Sequence, residues 1–158
     1  MSDAIMPRVF LVVVDESDEM GNALRYACRR AQHTNGHVAL LQVLEPVEFQ
    51  HWLGVGRVLE SDARAQAELR LQSLAAEVFA QTGSMPILHI REGQRAEQLV
   101  ALLQEDQSIS LLVLATASGG SNPGPLVTFL LGHLGRRVKV PVTLVPGELT
   151  QAEINMLS

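Results

Sequence analysis

The sequence predicts an α/β fold: an open five-stranded parallel sheet with helices on both faces. Three observations carry that prediction. Continuous apolar runs of strand length recur along the chain, and such runs suit strands buried on both faces. Apolar or small residues at helical spacing separate the runs. The links are short, so the order βαβαβαβαβ implies parallel strands and right-handed crossovers. The 158 residues fit one domain spanning 1–158, long enough for a substantial core. There is no internal repeat and no sign of a second domain.

The first strand is the run Arg8 to Val14, which stops at Asp15. Ser17 is placed to cap a helix, with Asp18 and Glu19 favourable in its first turn. Met20, Ala23, Leu24, Ala27, Cys28 and Ala31 form that helix's stripe, and Asn35-Gly36 ends it. His37 to Leu44 is the second strand. Residues 46–60 show no periodicity and read as an irregular segment, either a lid or a surface loop whose Phe49 and Trp52 cover the sheet edge. A long helix follows from Ser61 to about Thr82, with Gly83 as its stop. Met85 to Ile90 is the third strand, Arg95 to Glu105 a short helix, and Ser110 to Ala115 the fourth strand. A loop rich in glycine and proline, Thr116 to Pro125, leads to a last helix with Leu126, Phe129, Leu130 and Leu134 inward. Pro125 suits its first position. Val138 to Val145 is the fifth strand. Pro141 inside it cannot donate to a ladder, which puts this strand at a sheet edge.

Composition narrows the function. Hydrophobic residues make up 47% of the chain, and formal net charge is −5. Nucleic-acid binders need a basic stripe to displace counterions. The arginines that do cluster here (Arg25, Arg29 and Arg30, then Arg136 and Arg137) sit near helix ends, where cations oppose the helix dipole. No stretch approaches the roughly 20 apolar residues of a membrane span, and no basic region precedes an apolar run as in a secretory signal. Neither nucleic acid nor membrane is an expected partner. The lone cysteine, Cys28, lies on a helical core stripe and fits a reducing compartment, so a cytoplasmic location is expected. His33, His37, His51, His89 and His133 lack a recurrent metal spacing, and no catalytic triad can be assigned from order alone.

In open parallel sheets, ligands bind outside the carboxyl ends of the strands where the strand order reverses. With the first and fourth strands as neighbours, two loops matter: Asp15 to Ser17, and Thr116 to Pro125. The second offers backbone N–H groups and hydroxyls at Ser118, Gly119, Gly120 and Ser121, the means by which loops hold phosphates. Pro123 and Pro125 have no N–H to give. The bland alternatives are that Asp15 simply belongs to its turn and that the glycines and prolines only set a tight loop.

The segment V-V-V-D-E-S-D-E-M-G-N-A-L-R-Y-A, residues 12–27, resembles the opening V-D-x-S and A-L-x-x-A of the universal stress protein family. The ending V-P-V-T-L-V-P, residues 140–146, resembles that family's closing P-V-x-x-V strand. The likeness covers nearly the whole chain through the order and spacing of these segments. It implies an adenine nucleotide alpha-hydrolase-like fold with strand order 3-2-1-4-5, and a stress-response or regulatory role. It also implies an adenine nucleotide, ATP or AMP, with Mg2+ if ATP. By the resemblance, adenine lies near Val14, Asp15 and backbone of Val43, and phosphates near Ser118, Gly119, Gly120, Gly132 and His133. The family's phosphate pattern is G-x2-G-x9-G-[ST]. Gly119 and Gly132 have the separation of its outer glycines, but Asn122 stands at the middle glycine and His133 at the hydroxyl position. Gly124 serves for the middle glycine if the loop is longer.

A receiver domain shares the βα order but needs an aspartate after the third strand and a lysine after the fifth, and neither is present. Ser118-Gly-Gly-Ser121 echoes a pyrophosphatase loop that belongs after a first strand. A flavodoxin-like carrier would want its phosphate loop there too. Glu16 or Asp18 is available to a nucleotide's magnesium. Two functions of different class remain. One is nucleotide binding by a homodimer paired through the exposed fifth-strand edge. The other is a protein-interaction module, with a partner not yet identified, that no longer binds nucleotide. No enzymatic activity is expected, with weak ATP hydrolysis left open.

Overall fold

The structure, a computed structural model, describes residues 6–46, 53–120, 122–132 and 138–158, with backbone alone at 53–60. Ten elements alternate along it: β1 Val9–Val14, α1 Met20–Thr34, β2 His37–Leu44, α2 Leu53–Thr82, β3 Ile87–Glu92, α3 Arg95–Glu105, β4 Leu111–Thr116, α4 Pro125–Leu131, β5 Val142–Pro146 and α5 Gln151–Leu157. The strands form one sheet in the order β3-β2-β1-β4-β5, and every pairing is parallel.

β1 explains the layering. All six of its residues are buried, and successive side chains point to opposite faces. Val9, Leu11 and Val13 join Leu41 and Val43 of β2 under Leu99, Val100 and Leu103 of α3 and Val127 and Leu130 of α4. Phe10, Val12 and Val14 join Val38 and Leu40 under Ala23, Leu24, Ala27 and Cys28 of α1 and Leu71 and Val78 of α2. Cys28 is a core residue, as its stripe suggests. Burial, aided by the nearby Glu77 carboxylate and only partly opposed by Arg25, pushes its thiol up to about 12, so it stays protonated and inert.

Several boundaries move. Ser17 does not cap α1: the helix starts at Met20 after Glu19, and neither residue supplies a side-chain cap. Asn35 ends it in the left-handed conformation, φ 53°, which a short polar side chain tolerates. Helix α2 begins at Leu53, so most of the segment read as irregular is helical. Residues 47–52, with the Phe49 and Trp52 of the lid or loop reading, lie outside the described residues. β3 runs to Glu92, two residues past the expected end. β5 is an edge strand, but it starts at Val142. Pro141 precedes it and accepts from the Leu112 N–H through its carbonyl at 3.0 Å. α4 is not the last helix. α5 follows, opened by a capping box in which Thr150 and Glu153 bond reciprocally.

Leu11 is fully buried and Leu69 is 66% exposed. Leu11→Ala is therefore expected to cost about 2–5 kcal/mol of stability and Leu69→Ala under about 0.5 kcal/mol, read from urea midpoints. Burial on β3 holds His89 below its ordinary pKa of 6.5, against the pull of Asp106, whose Oδ2 lies 3.9 Å from Nε2. Asp106 is itself held below 3.8, chiefly by the Ser108 hydroxyl. A depressed folded-state pKa contributes stability above the unfolded value that is lost as pH falls through the folded value. The protein should lose stability as pH falls below about 6.5, and His89→Gln should shrink the part of that loss above the carboxylate range. An equal loss in both proteins would assign the effect to other groups.

Candidate functional site

At the carboxyl end of β1 the chain turns at Asp15. Its Oδ1 accepts from the Ser17 N–H at 2.8 Å and from the Ser17 hydroxyl at 2.5 Å. This is the local turn that aspartate favours, and it commits one carboxylate oxygen to the backbone. Asp15 nevertheless lines a cavity of about 550 Å³ together with Val43, Glu45, Ala67, Arg70 and Arg95. The two residues expected beside adenine that can reach a cavity, Asp15 and Val43, thus share one. Val14 is fully buried in the face against α1 and α2, which leaves only its backbone to a ligand.

The glycine-rich loop closes largely on itself. The Ala117 N–H donates to the Pro123 carbonyl at 3.1 Å. Asn122 Oδ1 accepts from the Gly124 N–H at 3.0 Å. Gly119 and Gly124 adopt φ +74° and +111°, conformations that favour glycine. Pro123, Gly124 and Pro125 line a second, small cavity with Asp15, Ser17 and Arg95, whereas Ser118, Gly119 and Gly120 line neither of these cavities. Gly132 caps the end of α4 with ordinary right-handed geometry, φ −77°, its N–H donating to Phe129 at 3.2 Å. His133 and Ser121 lie outside the described residues. The structure therefore brings Asp15, Val43 and the proline end of the loop together, and it leaves the loop's tip apart.

Three side chains escaped the sequence reading. Gln42 is a buried polar residue within apolar β2. It accepts from Arg70 Nη1 at 3.4 Å, and Arg70 Nη2 bonds Glu16 at 2.9 Å. This chain ties β2, α2 and the β1–α1 turn together along the cavity wall. The third is Arg95, first residue of α3. A glutamine inside an apolar run was the available signal for the first two, and an arginine directly after Gly93-Gln94 at a strand-to-helix link was the signal for the third. Among the described residues, no three His, Cys, Asp or Glu side chains converge as metal ligands, and no helix is long and apolar enough to cross a membrane.

Gly147 secures the far side. A Cβ there would meet the Thr116 carbonyl at 2.3 Å and Glu19 Cβ at 3.0 Å, so the turn after β5 packs tightly on the end of β4 and the start of α1.

The architecture has relatives among solved structures. A universal stress protein UspA from Lactobacillus plantarum is 18% identical with a TM-score of 0.74, over 87% of this chain and 97% of its own. A universal stress protein in complex with cAMP is 18% identical with a TM-score of 0.57, over 89% and 98% of the two chains. A universal stress protein family protein from Arabidopsis thaliana with AMP bound is 15% identical with a TM-score of 0.57, over 89% and 92%. No curated protein sequence matches significantly. The family model for universal stress proteins matches residues 6–146, and with the sheet order and crevice just described it places this chain in the universal stress protein family.

Proposed function

We propose that this protein binds an adenine nucleotide in the crevice outside the carboxyl ends of β1 and β4 and serves a stress-response or regulatory role in the cytoplasm as a single non-catalytic domain. One observation carries the reading: Asp15 and Val43, from neighbouring strands, line one cavity of about 550 Å³, the size range of small-molecule sites. Structures of the same fold bound to cAMP and AMP support it. Backbone of Val14 and Val43 and the carboxylate of Asp15 would meet adenine. Ser118, Gly119, Gly120, Gly132 and His133 are the remaining proposed contacts, engaged if the loop opens toward the ligand. ATP would bring Mg2+ with it.

The self-contained bonding of the loop favours a second reading, an interaction module without nucleotide that acts through its surface on a protein partner. Both readings place a homodimer contact at β5. Its Leu144 is 42% exposed and lines an apolar hollow with Val142, Leu130 and Leu131, and an open edge strand invites pairing.

In a thermal-shift titration of nucleotide-stripped protein, AMP or ATP at a hundredfold excess over Kd adds about 2.7 kcal/mol and should raise Tm by roughly 5–10 °C. Asp15→Ala should remove most of that rise. No shift at millimolar nucleotide would leave the interaction module standing. In sedimentation, the protein should run at twice its 17.2 kDa chain mass, and Leu144→Glu should run as a monomer. A wild-type monomer at micromolar concentration would dismiss the β5 contact.

A further inference from the structure

Arg95 sits where the cavities of the crevice meet. Arg95 lines the 550 Å³ cavity with Asp15 and Val43. It lines the small cavity at the proline end of the loop, and also a third, of about 640 Å³, with Gln94, Leu126 and Phe129. Its Nε is shielded from solvent and has no hydrogen-bond partner among the described residues. Among the described residues it makes no ion pair, whereas the other arginine of the cavity wall, Arg70, is bound to Glu16 at 2.9 Å. A guanidinium is always charged and carries five N–H donors in a planar fork suited to phosphate. A shielded donor left unmade is costly, and each such group needs an explanation.

The backbone around Arg95 is arranged for the same end. Gly93 turns the chain at φ +138°, and Gln98 packs where a Cβ would lie. Gln94, the residue before α3, supplies no side-chain cap, so no protein acceptor from that residue covers the start of this eleven-residue helix. The glycine-rich loop across the crevice has turned the N–H groups of Ala117 and Gly124 inward.

We propose that Arg95 is the phosphate anchor of the nucleotide site, and that it selects a nucleoside monophosphate over a triphosphate. This rests on the adenine reading of the crevice. The selectivity follows from charge. Asp15, Glu16, Glu19 and Glu45 line the same cavity as Arg95 and Arg70. With Arg70 held by Glu16, Arg95 is left as the one guanidinium of this cavity with no ion pair among the described residues, a single fork for one phosphate group. Further phosphates would meet like charge at close range. The anion's anchor is therefore the β3–α3 link, and the loop contacts proposed above add to it only when the loop opens.

Calorimetric titration with adenosine, AMP and magnesium-free ATP tests this in wild type, Arg95→Gln and Arg95→Lys, with melting curves to confirm folding. Wild type should bind AMP more tightly than adenosine and at least as tightly as ATP. Arg95→Gln should lose about 10–100-fold in AMP affinity, the worth of a charged hydrogen bond, while adenosine affinity is unchanged. Arg95→Lys should recover part of the loss. If adenosine binds and AMP gains nothing over it, or if Arg95→Gln weakens both alike, Arg95 is no anchor and the adenine reading survives. ATP binding well above AMP overturns the selectivity. If neither adenosine nor AMP binds wild type, the adenine reading fails and the anchor falls with it.

Discussion

A strand buried on both faces has no room for a polar side chain until it ends. β1 is such a strand: from Val9 to Val14 every residue is covered, by α3 and α4 on one side and by α1 and α2 on the other. Chain leaving β1 through α1 goes to β2, and chain returning through α3 arrives at β4 on β1's other flank. The helices must therefore change faces at β1, and the links diverge there. Asp15 is the first residue free of the core. The crevice and its chemistry sit at the carboxyl ends because the inside of the sheet admits none.

The apolar runs alone made the parallel five-stranded sheet legible, while its order came from the likeness to a known family, and the structure has both. Helix α3, with strongly periodic Leu99, Val100 and Leu103, was read at its observed bounds. Where local signal is weak, the reading failed. Leu53 to Glu60 includes Gly54 and Gly56, each unfavourable in a helix, yet a helix once formed extends cheaply and the strongly patterned portion carries them. Ser17 resembles a cap by composition, but Asp15 engages its N–H and hydroxyl first. α5 was missed although Thr150-x-x-Glu153 is a capping-box signature. Local pattern marks Gln42 and Arg95 as unusual, but that they and Arg70 line one cavity depends on how β2, α2 and α3 come together.

The crevice is electrostatically uneven. Acidic residues dominate its rim, and the Arg70–Glu16 pair joins α2 to the β1–α1 turn. Exposed pairs of this kind contribute little to stability; this one instead fixes the wall's shape through Gln42. It also engages one of the two arginines that line the cavity.

The carboxamide of Asn22, two residues into α1, lies within hydrogen-bond distance of the carbonyls of Pro146, Gly147 and Leu149. Farther along α1, Arg25 bonds Asn155, and Arg30 and His33 reach the Ser158 carbonyl. The segment shared with the family ends at residue 146, in the middle of this stitching. α5 is thus a splint along the helix that frames the ligand crevice, and a recombinant fragment cut at the homology boundary would lose the splint together with two of the three carbonyls that hold the start of α1.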